Sequence, residues 1–312
     1  MNLESIPLSN GVKMPRLGYG VYQVDPTTCE ASVREALEVG YRAIDTAQAY
    51  HNEEGVGRAI KGSGLPREDI FLTTKVWVSN AGQEKARASI EESLRKLQTD
   101  YIDLLLIHQP FNDYYGTWRA MEEAYKAGKV RAIGVSNFFP DRLVDLCQFV
   151  EIRPMVNQVE THALYQQKAA HAIMEKYGVV HESWGPFAEG RKDFFTNPVL
   201  AAVGAKHGKS VAQVALRFLL QSDVVVIPKS VHKARMAENL QVFDFSLDAE
   251  DMAAIQALDQ EESAFFSHYD PATVEFITGL ELFATMSSDE FKKDKHYPKK
   301  NFFHGICLFC FR

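Results

Sequence analysis

Asp45, Tyr50, Lys75 and His108 each stand at, or shortly after, the end of a hydrophobic run. Asp45 follows Tyr41-Arg42-Ala43-Ile44, and Tyr50 lies in the segment just beyond it. Lys75 closes Ile70-Phe71-Leu72-Thr73-Thr74, and His108 closes the run over 101–107. Burying titratable groups costs free energy, so this placement asks for a purpose. A tyrosine with its ordinary pKa of about 10 is a poor acid at neutral pH. A cationic lysine beside it stabilises the phenolate and is expected to lower that value. A carboxylate can hold the lysine through a charge-assisted hydrogen bond. A histidine can give a second hydrogen bond to the same substrate oxygen. Together they would stabilise an alkoxide forming from a carbonyl and then protonate it. Taken singly, each residue is more often a structural ion pair or a satisfied loop group. Their joint placement favours chemistry.

The four can meet only if the runs that carry them lie side by side and point the same way. Eight short apolar runs supply such strands: 17–21, 43–46, 70–76, 101–108, 130–136, 155–160, 179–184 and 224–228. Amphipathic helices lie between them. Over 89–97 the apolar Ile90, Leu94 and Leu97 recur at helical spacing. Over 210–220, Val211, Val214, Ala215, Phe218 and Leu219 do the same. Gly40, Gly128 and Gly178 each end a helix and precede a strand, as left-handed caps do. Ahead of the repeat, Ser9-Asn10-Gly11 between Ile6-Pro7-Leu8 and Val12-Lys13-Met14 predicts a β-hairpin. Gly18-Tyr19-Gly20 begins a G-x-G-x-x-G pattern and then fails, so the dinucleotide fingerprint of a doubly wound sheet is missing. The strand count therefore predicts an α/β fold, a (β/α)₈ TIM barrel with an N-terminal β-hairpin. In such a barrel Asp45, Lys75 and His108 end the second, third and fourth strands, with Tyr50 in the adjoining loop.

The bulk numbers suit this reading. A chain of 312 residues with 46% hydrophobic and 24% charged residues has enough core for one large barrel. Its formal net charge of -7 argues against nucleic acid as a partner. Met1-Asn2-Leu3-Glu4 does not open a secretory signal, and no run is long enough to cross a membrane. Cys29 and Cys147 have no neighbouring partner, which suits a reducing cytoplasmic compartment. Residues 1–286 read as a single barrel domain. Residues 287–312 read as an atypical, poorly ordered C-terminal tail, mixing lysine clusters with Phe302-Phe303 and Cys307-Leu308-Phe309-Cys310. That C-x-x-C lacks a second ligand pair, so no metal is expected. A monomer or weak oligomer is expected.

From about residue 6 to residue 276 the chain resembles the aldo-keto reductase family. The resemblance rests on Arg42-Ala43-Ile44-Asp45-Thr46-Ala47-Gln48-Ala49-Tyr50, on Asn52-Glu53-Glu54-Gly55-Val56-Gly57, on the segment ending at Lys75, and on Leu106-Ile107-His108-Gln109-Pro110. It implies a catalytic tetrad of Asp45, Tyr50, Lys75 and His108. It also implies NADPH as cofactor and a small carbonyl compound as substrate. Ser136, Asn137 and Gln158 match positions that bind the nicotinamide carboxamide. Trp184 falls where an aromatic ring stacks on the nicotinamide, and tryptophan there is familiar in the bacterial 2,5-diketogluconate reductase branch. Lys229, Ser230 and Arg235 follow the eighth run, where barrels often bind phosphate. The resemblance assigns them to the adenosine 2′-phosphate, and Glu238 and Asn239 to the adenine. A substrate pocket lined by Tyr22, His51, Trp77 and Phe111 is expected. One departure is Gly185, in Ser183-Trp184-Gly185-Pro186-Phe187, where a serine commonly precedes the proline.

The leading expectation is an NADPH-dependent reductase of aldehydes and ketones with Tyr50 as proton donor. Within that class a sugar-directed diketogluconate reductase competes with a general aldehyde reductase. A non-catalytic NADPH-binding barrel is the rival from another class, and intact Tyr50, Lys75 and His108 argue against it. A lyase or isomerase using the phosphate site is a further rival. Ser136, Asn137, Gln158 and Trp184 argue for nicotinamide instead.

Overall fold

The computed structural model describes residues 4–280. It begins with the expected hairpin, in which β1 (Ser5–Pro7) pairs antiparallel with β2 (Lys13–Pro15). Gly11 takes the left-handed φ of 85° that the turn needs. Asn10 caps the turn through Val12 N at 3.1 Å and ties it to the barrel through Arg131 O at 2.9 Å. Leu8 and Met14 are buried with Ala43, Phe71, Leu104, Met155 and Val225, so the hairpin plugs the N-terminal end of the barrel.

All eight runs become parallel strands. In spatial order they are β3 (Tyr19–Gly20), β4 (Ala43–Asp45), β5 (Phe71–Val76), β6 (Leu104–Ile107), β7 (Ile133–Ser136), β8 (Val156–Glu160), β9 (Val180–Trp184) and β10 (Val225–Val226). A parallel bridge between Leu17 and Val226 joins the first strand to the last. Gly18 N donates to Val226 O at 2.8 Å, and Val226 N donates to Arg16 O at 3.0 Å. A Cβ on Gly20 would sit 2.9 Å from Ile227 O, and one on Gly18 would crowd Ala43 and Ile227. The glycine pair that fails as a dinucleotide fingerprint therefore lets the two seam strands meet.

The helices form the outer layer: α1 (Pro26–Val39), α2 (Glu53–Lys61), α3 (Gln83–Leu97), α4 (Tyr114–Lys126), α5 (Pro140–Phe149), α6 (Lys168–Tyr177), α7 (Pro198–His207), α8 (Val211–Gln221), α9 (Lys233–Leu240), α10 (Ala249–Gln256) and α11 (Pro271–Gly279). Gly40, Gly128 and Gly178 have φ of 119°, 76° and 68°, the left-handed region predicted for them. Ser210 and Gln213 form a reciprocal capping box that starts α8. Helix α3 begins earlier than its apolar stripe suggests. Its first turns carry surface ion pairs such as Arg87–Glu84 and Arg87–Glu123, and alanine rather than large apolar residues. Helix α11 starts from Asp270, whose side chain accepts from Ala272 N, with Pro271 in the first turn. It lies over the C-terminal mouth, where Ile277 is buried with Trp77, Val78 and Phe111. No helix among the described residues is long and apolar enough to cross a membrane. The tail assigned to 287–312, with Cys307 and Cys310, lies outside the described residues.

Candidate active site

Parallel strands place their C-terminal ends at one mouth, and the side chains there converge. Asp45 ends β4 and is 4% exposed, while Lys75 near the end of β5 is fully buried. The Lys75 ammonium has three donors. It gives them to Asp45 Oδ1 at 2.5 Å, Thr46 O at 3.0 Å and the Tyr50 hydroxyl at 3.3 Å. A buried cation is tolerable only when paired and hydrogen-bonded, and here both conditions hold. Tyr50 sits in a short helical turn, 48–50, just beyond β4. Its ring packs against Tyr22 at 5.1 Å and edge-on to His108 at 5.5 Å. Asn52, behind this turn, accepts from Thr46 and donates to Val21 O, which pins the loop to the barrel.

The tuning of Tyr50 runs opposite to the sequence expectation. Burial, then the carboxyl groups of Asp45, Glu182 and Glu189, hold the Tyr50 hydroxyl well above its ordinary pKa. The lysine does not bring it below the ordinary value, because Asp45 already balances that charge and burial outweighs the remainder. Tyr50 therefore keeps its proton, the state a proton donor needs. His108 follows β6, with its backbone N donating to Val76 O at 3.0 Å and its ring edge-on to Trp77 at 5.0 Å. Burial, Lys75 and His268 hold His108 well below its ordinary pKa, so the ring is neutral. Its Nδ1 is buried without a partner among the described residues. The ring proton is therefore best placed on Nε2, the nitrogen left for a ligand oxygen.

A second group gathers on β7, β8 and β9. Ser136 Oγ donates to Gln158 O at 2.8 Å. Asn137, at a left-handed φ of 62°, donates from Nδ2 to His108 O and Ser136 Oγ. Its Oδ1 accepts from Trp184 Nε1 at 2.8 Å, which fixes the plane of the indole. Phe265 packs on the same indole at 5.2 Å. The position after Trp184 has a φ of 61°, which suits Gly185 and would strain the serine common there. Gln158 Nε2 donates to both Asp45 Oδ2 and Glu182 Oε2, at 2.9 Å each.

The residues after β10 divide. Lys229 is exposed, with Glu189 across from it, and packing around its ammonium lowers its pKa while Glu189 opposes the shift. Ser230 is 8% exposed, and its carbonyl accepts from Tyr19 at 2.6 Å. Arg235 is exposed at the start of α9, and Glu238 is half-buried. Asn239 is 4% exposed and lies beside the Tyr41 side chain, so it faces the barrel wall more than the surface. In the expected pocket, Trp77 and Phe111 are buried together beneath α11, and Tyr22 leans on Tyr50. Trp77 Nε1 donates to Leu280 O at 2.9 Å, tying the end of α11 to the mouth. His51 is exposed, and its charged neighbour is Lys96 rather than the tetrad.

Sequence reasoning passed over Glu182, His268 and Gln109. His268 Nε2 and Gln109 Oε1 lie 2.9 Å apart, and His268 stacks on Phe111. Glu182 had a legible signal, since it interrupts an apolar run as Asp45 does. His268 had none, because only the folded C-terminal segment brings it to the mouth.

The mouth of the closed parallel barrel thus holds a buried lysine joined to a carboxylate and a tyrosine. The family model described as "Aldo/keto reductase family" matches residues 8–260. The chain belongs to the aldo/keto reductase family, oxidoreductases that act on carbonyl compounds. It is 49% identical over 261 residues to the glyoxal reductase of Bacillus subtilis (strain 168), covering 83% of this chain and 94% of that one. It is 44% identical over 262 residues to the methylglyoxal reductase DkgA of Escherichia coli (strain K12), again covering 83% and 94%. Among solved structures it matches a Bombyx mori aldo-keto reductase in complex with NADP at 33% identity and a TM-score of 0.80, covering 85% of this chain and 96% of that one. Helix α11 lies beyond the span of the family model.

Proposed function

We propose that this protein reduces small aldehydes and ketones to alcohols with NADPH, and that 2-oxoaldehydes such as glyoxal and methylglyoxal are its preferred substrates. The observation that carries the reading is Lys75, buried and bonded at once to Asp45 and Tyr50. The residues at the mouth fit a nicotinamide cofactor. Asn137 fixes the Trp184 indole and also bonds Ser136, which in turn bonds Gln158. Lys229, Ser230 and Arg235 would hold a 2′-phosphate, and Glu238 and Asn239 would border the adenine. When bound, the nicotinamide supplies a hydride to the carbonyl carbon.

The chain's own side chains do the rest. His108 Nε2 donates a hydrogen bond to the carbonyl oxygen and orients it. Tyr50 donates a second and transfers its proton as negative charge develops there. Lys75, held by Asp45, stabilises the phenolate left behind. Tyr22, Trp77 and Phe111 make an aromatic wall that favours a compact substrate over an extended sugar acid. Cys29 and Cys147 are buried with free thiols, which supports a reducing, cytoplasmic site of action.

The test is NADPH oxidation against glyoxal, methylglyoxal, simple aldehydes, ketoses and a 2,5-diketo acid. The 2-oxoaldehydes are expected to give the highest kcat/KM. A diketo acid ahead of them would move the protein to the sugar-directed branch. NADPH binding without turnover on any carbonyl would favour the non-catalytic reading.

A further inference from the structure

The barrel interior holds a carboxyl that the four-residue site does not use. Glu182 lies in the middle of β9, only 1% exposed. In register it sits beside Gln158 of β8 and Val225 of β10. A buried glutamate is costly unless hydrogen-bonded, and its hydrogen bond is to Gln158 Nε2 at 2.9 Å. The same nitrogen donates to Asp45 Oδ2 at 2.9 Å. One amide group thus uses both its hydrogens to join two carboxyls. The other oxygen of Asp45 holds Lys75, and Lys75 holds Tyr50. Asp45 and Glu182 also share a small internal cavity with Met14, Gly18, Thr73 and Ile227.

We propose that Glu182 is a positioning residue for proton delivery: through the Gln158 amide it fixes the Asp45 carboxylate, and it places a second acidic group within electrostatic reach of Tyr50. The proposal rests on the carbonyl-reductase reading above. The titratable groups facing Glu182 are Asp45 of β4, Lys75 of β5 and the Tyr50 hydroxyl. β8 contributes neutral Gln158, and β10 and the hairpin contribute apolar Val225 and Met14.

One lysine cannot balance two buried carboxylates, so one of the pair keeps a proton. Burial first, then Asp45, push Glu182 up to about 8, against the pull of Gln158 and Lys75. Below that pH Glu182 is neutral. Above it, a second negative charge lies near Tyr50 and resists loss of the phenolic proton. Reduction then persists to higher pH than it would with a neutral residue at position 182.

The experiment compares wild type with Glu182→Gln and Glu182→Asp. The pH dependence of kcat for methylglyoxal reduction is measured, together with infrared difference spectra of the cofactor-free proteins. The alkaline limb of Glu182→Gln is expected to lie roughly one pH unit lower than in wild type, with Glu182→Asp restoring part of the difference. The wild-type spectrum should show a protonated, buried carboxyl that is lost between pH 7 and 9, roughly centred on the perturbed value, and that Glu182→Gln lacks. Glu182→Asp shifts the same band and serves if the glutamine variant folds poorly. Profiles that superimpose after scaling, or a spectrum with no such titrating carboxyl, overturn the proposal. Wild type that reduces no carbonyl defeats the functional reading instead, and the infrared titration still decides the state of Glu182.

Discussion

Replacing Asp45 with asparagine preserves shape and removes one charge from a buried pair. Lys75 Nζ and Asp45 Oδ1 are 2.5 Å apart, with side chains 0% and 6% exposed. At an effective dielectric of about 20, two unit charges at that separation attract by about 7 kcal/mol. Desolvation of both groups cancels much of this, yet removing one partner of a buried pair typically costs about 3–5 kcal/mol. One feature lowers the expectation and a second partly offsets it. Lys75 keeps Thr46 O and the Tyr50 hydroxyl as acceptors. Asparagine also offers one oxygen where Asp45 offers two, to Lys75 and to Gln158. One of those two bonds must therefore be lost, and an amide hydrogen then faces a donor. The expected loss is about 3 kcal/mol of unfolding free energy, read from urea denaturation. Turnover should fall by about 10²-fold, since Lys75 and Tyr50 lose their common anchor. A loss below about 1 kcal/mol together with near-wild-type turnover would refute the role given to this pair.

Three further outcomes follow from particular residues. Gly185→Ser should cost about 1–2 kcal/mol, because a φ of 61° strains any residue with a Cβ; an unchanged Tm refutes it. Burial and Arg142 hold His268 down at about 4. The unfolded chain therefore takes up a proton on falling below about 6.5, before the folded one does. Stability from this site is complete above pH 6.5 and declines between 6.5 and 4, by about 3 kcal/mol in total. His268→Gln should flatten that acid limb in urea midpoints, and an unaltered limb counts against it. Arg235→Ala should raise the KM for NADPH about tenfold, as loss of a charge-assisted hydrogen bond implies, while leaving that for NADH nearly unchanged. Equal effects on both cofactors would remove Arg235 from the 2′-phosphate.

Much of this architecture is visible in the chain because buried parallel strands and capped helices obey local rules. The eight runs, the Asn10-Gly11 hairpin and the glycine caps all depend on neighbours within a few residues. The seam was harder to see. Gly18 and Gly20 read as a broken nucleotide motif, and only their approach to Ile227 reveals their purpose. The tetrad was legible as titratable groups at the ends of runs. Its electrostatics were not, because Tyr50 sums burial with charges from Asp45, Glu182 and Glu189, which lie far apart in sequence. Asn239 was assigned to the adenine through the resemblance alone, and its burial beside Tyr41 depends on how α9 packs on the barrel. The C-terminal covering of Trp77 and Phe111 required tertiary packing of α11 that no periodicity could assign.

The central claim is that Tyr50, held by Lys75 and kept protonated by its surroundings, gives the proton. Single-turnover reduction of methylglyoxal by Tyr50→Phe, with NADPH binding followed by fluorescence on the same protein, tests it most directly. The account predicts NADPH affinity close to wild type and a rate lower by about 10²–10⁴-fold. A rate within a few-fold of wild type, at equal NADPH occupancy, would contradict it.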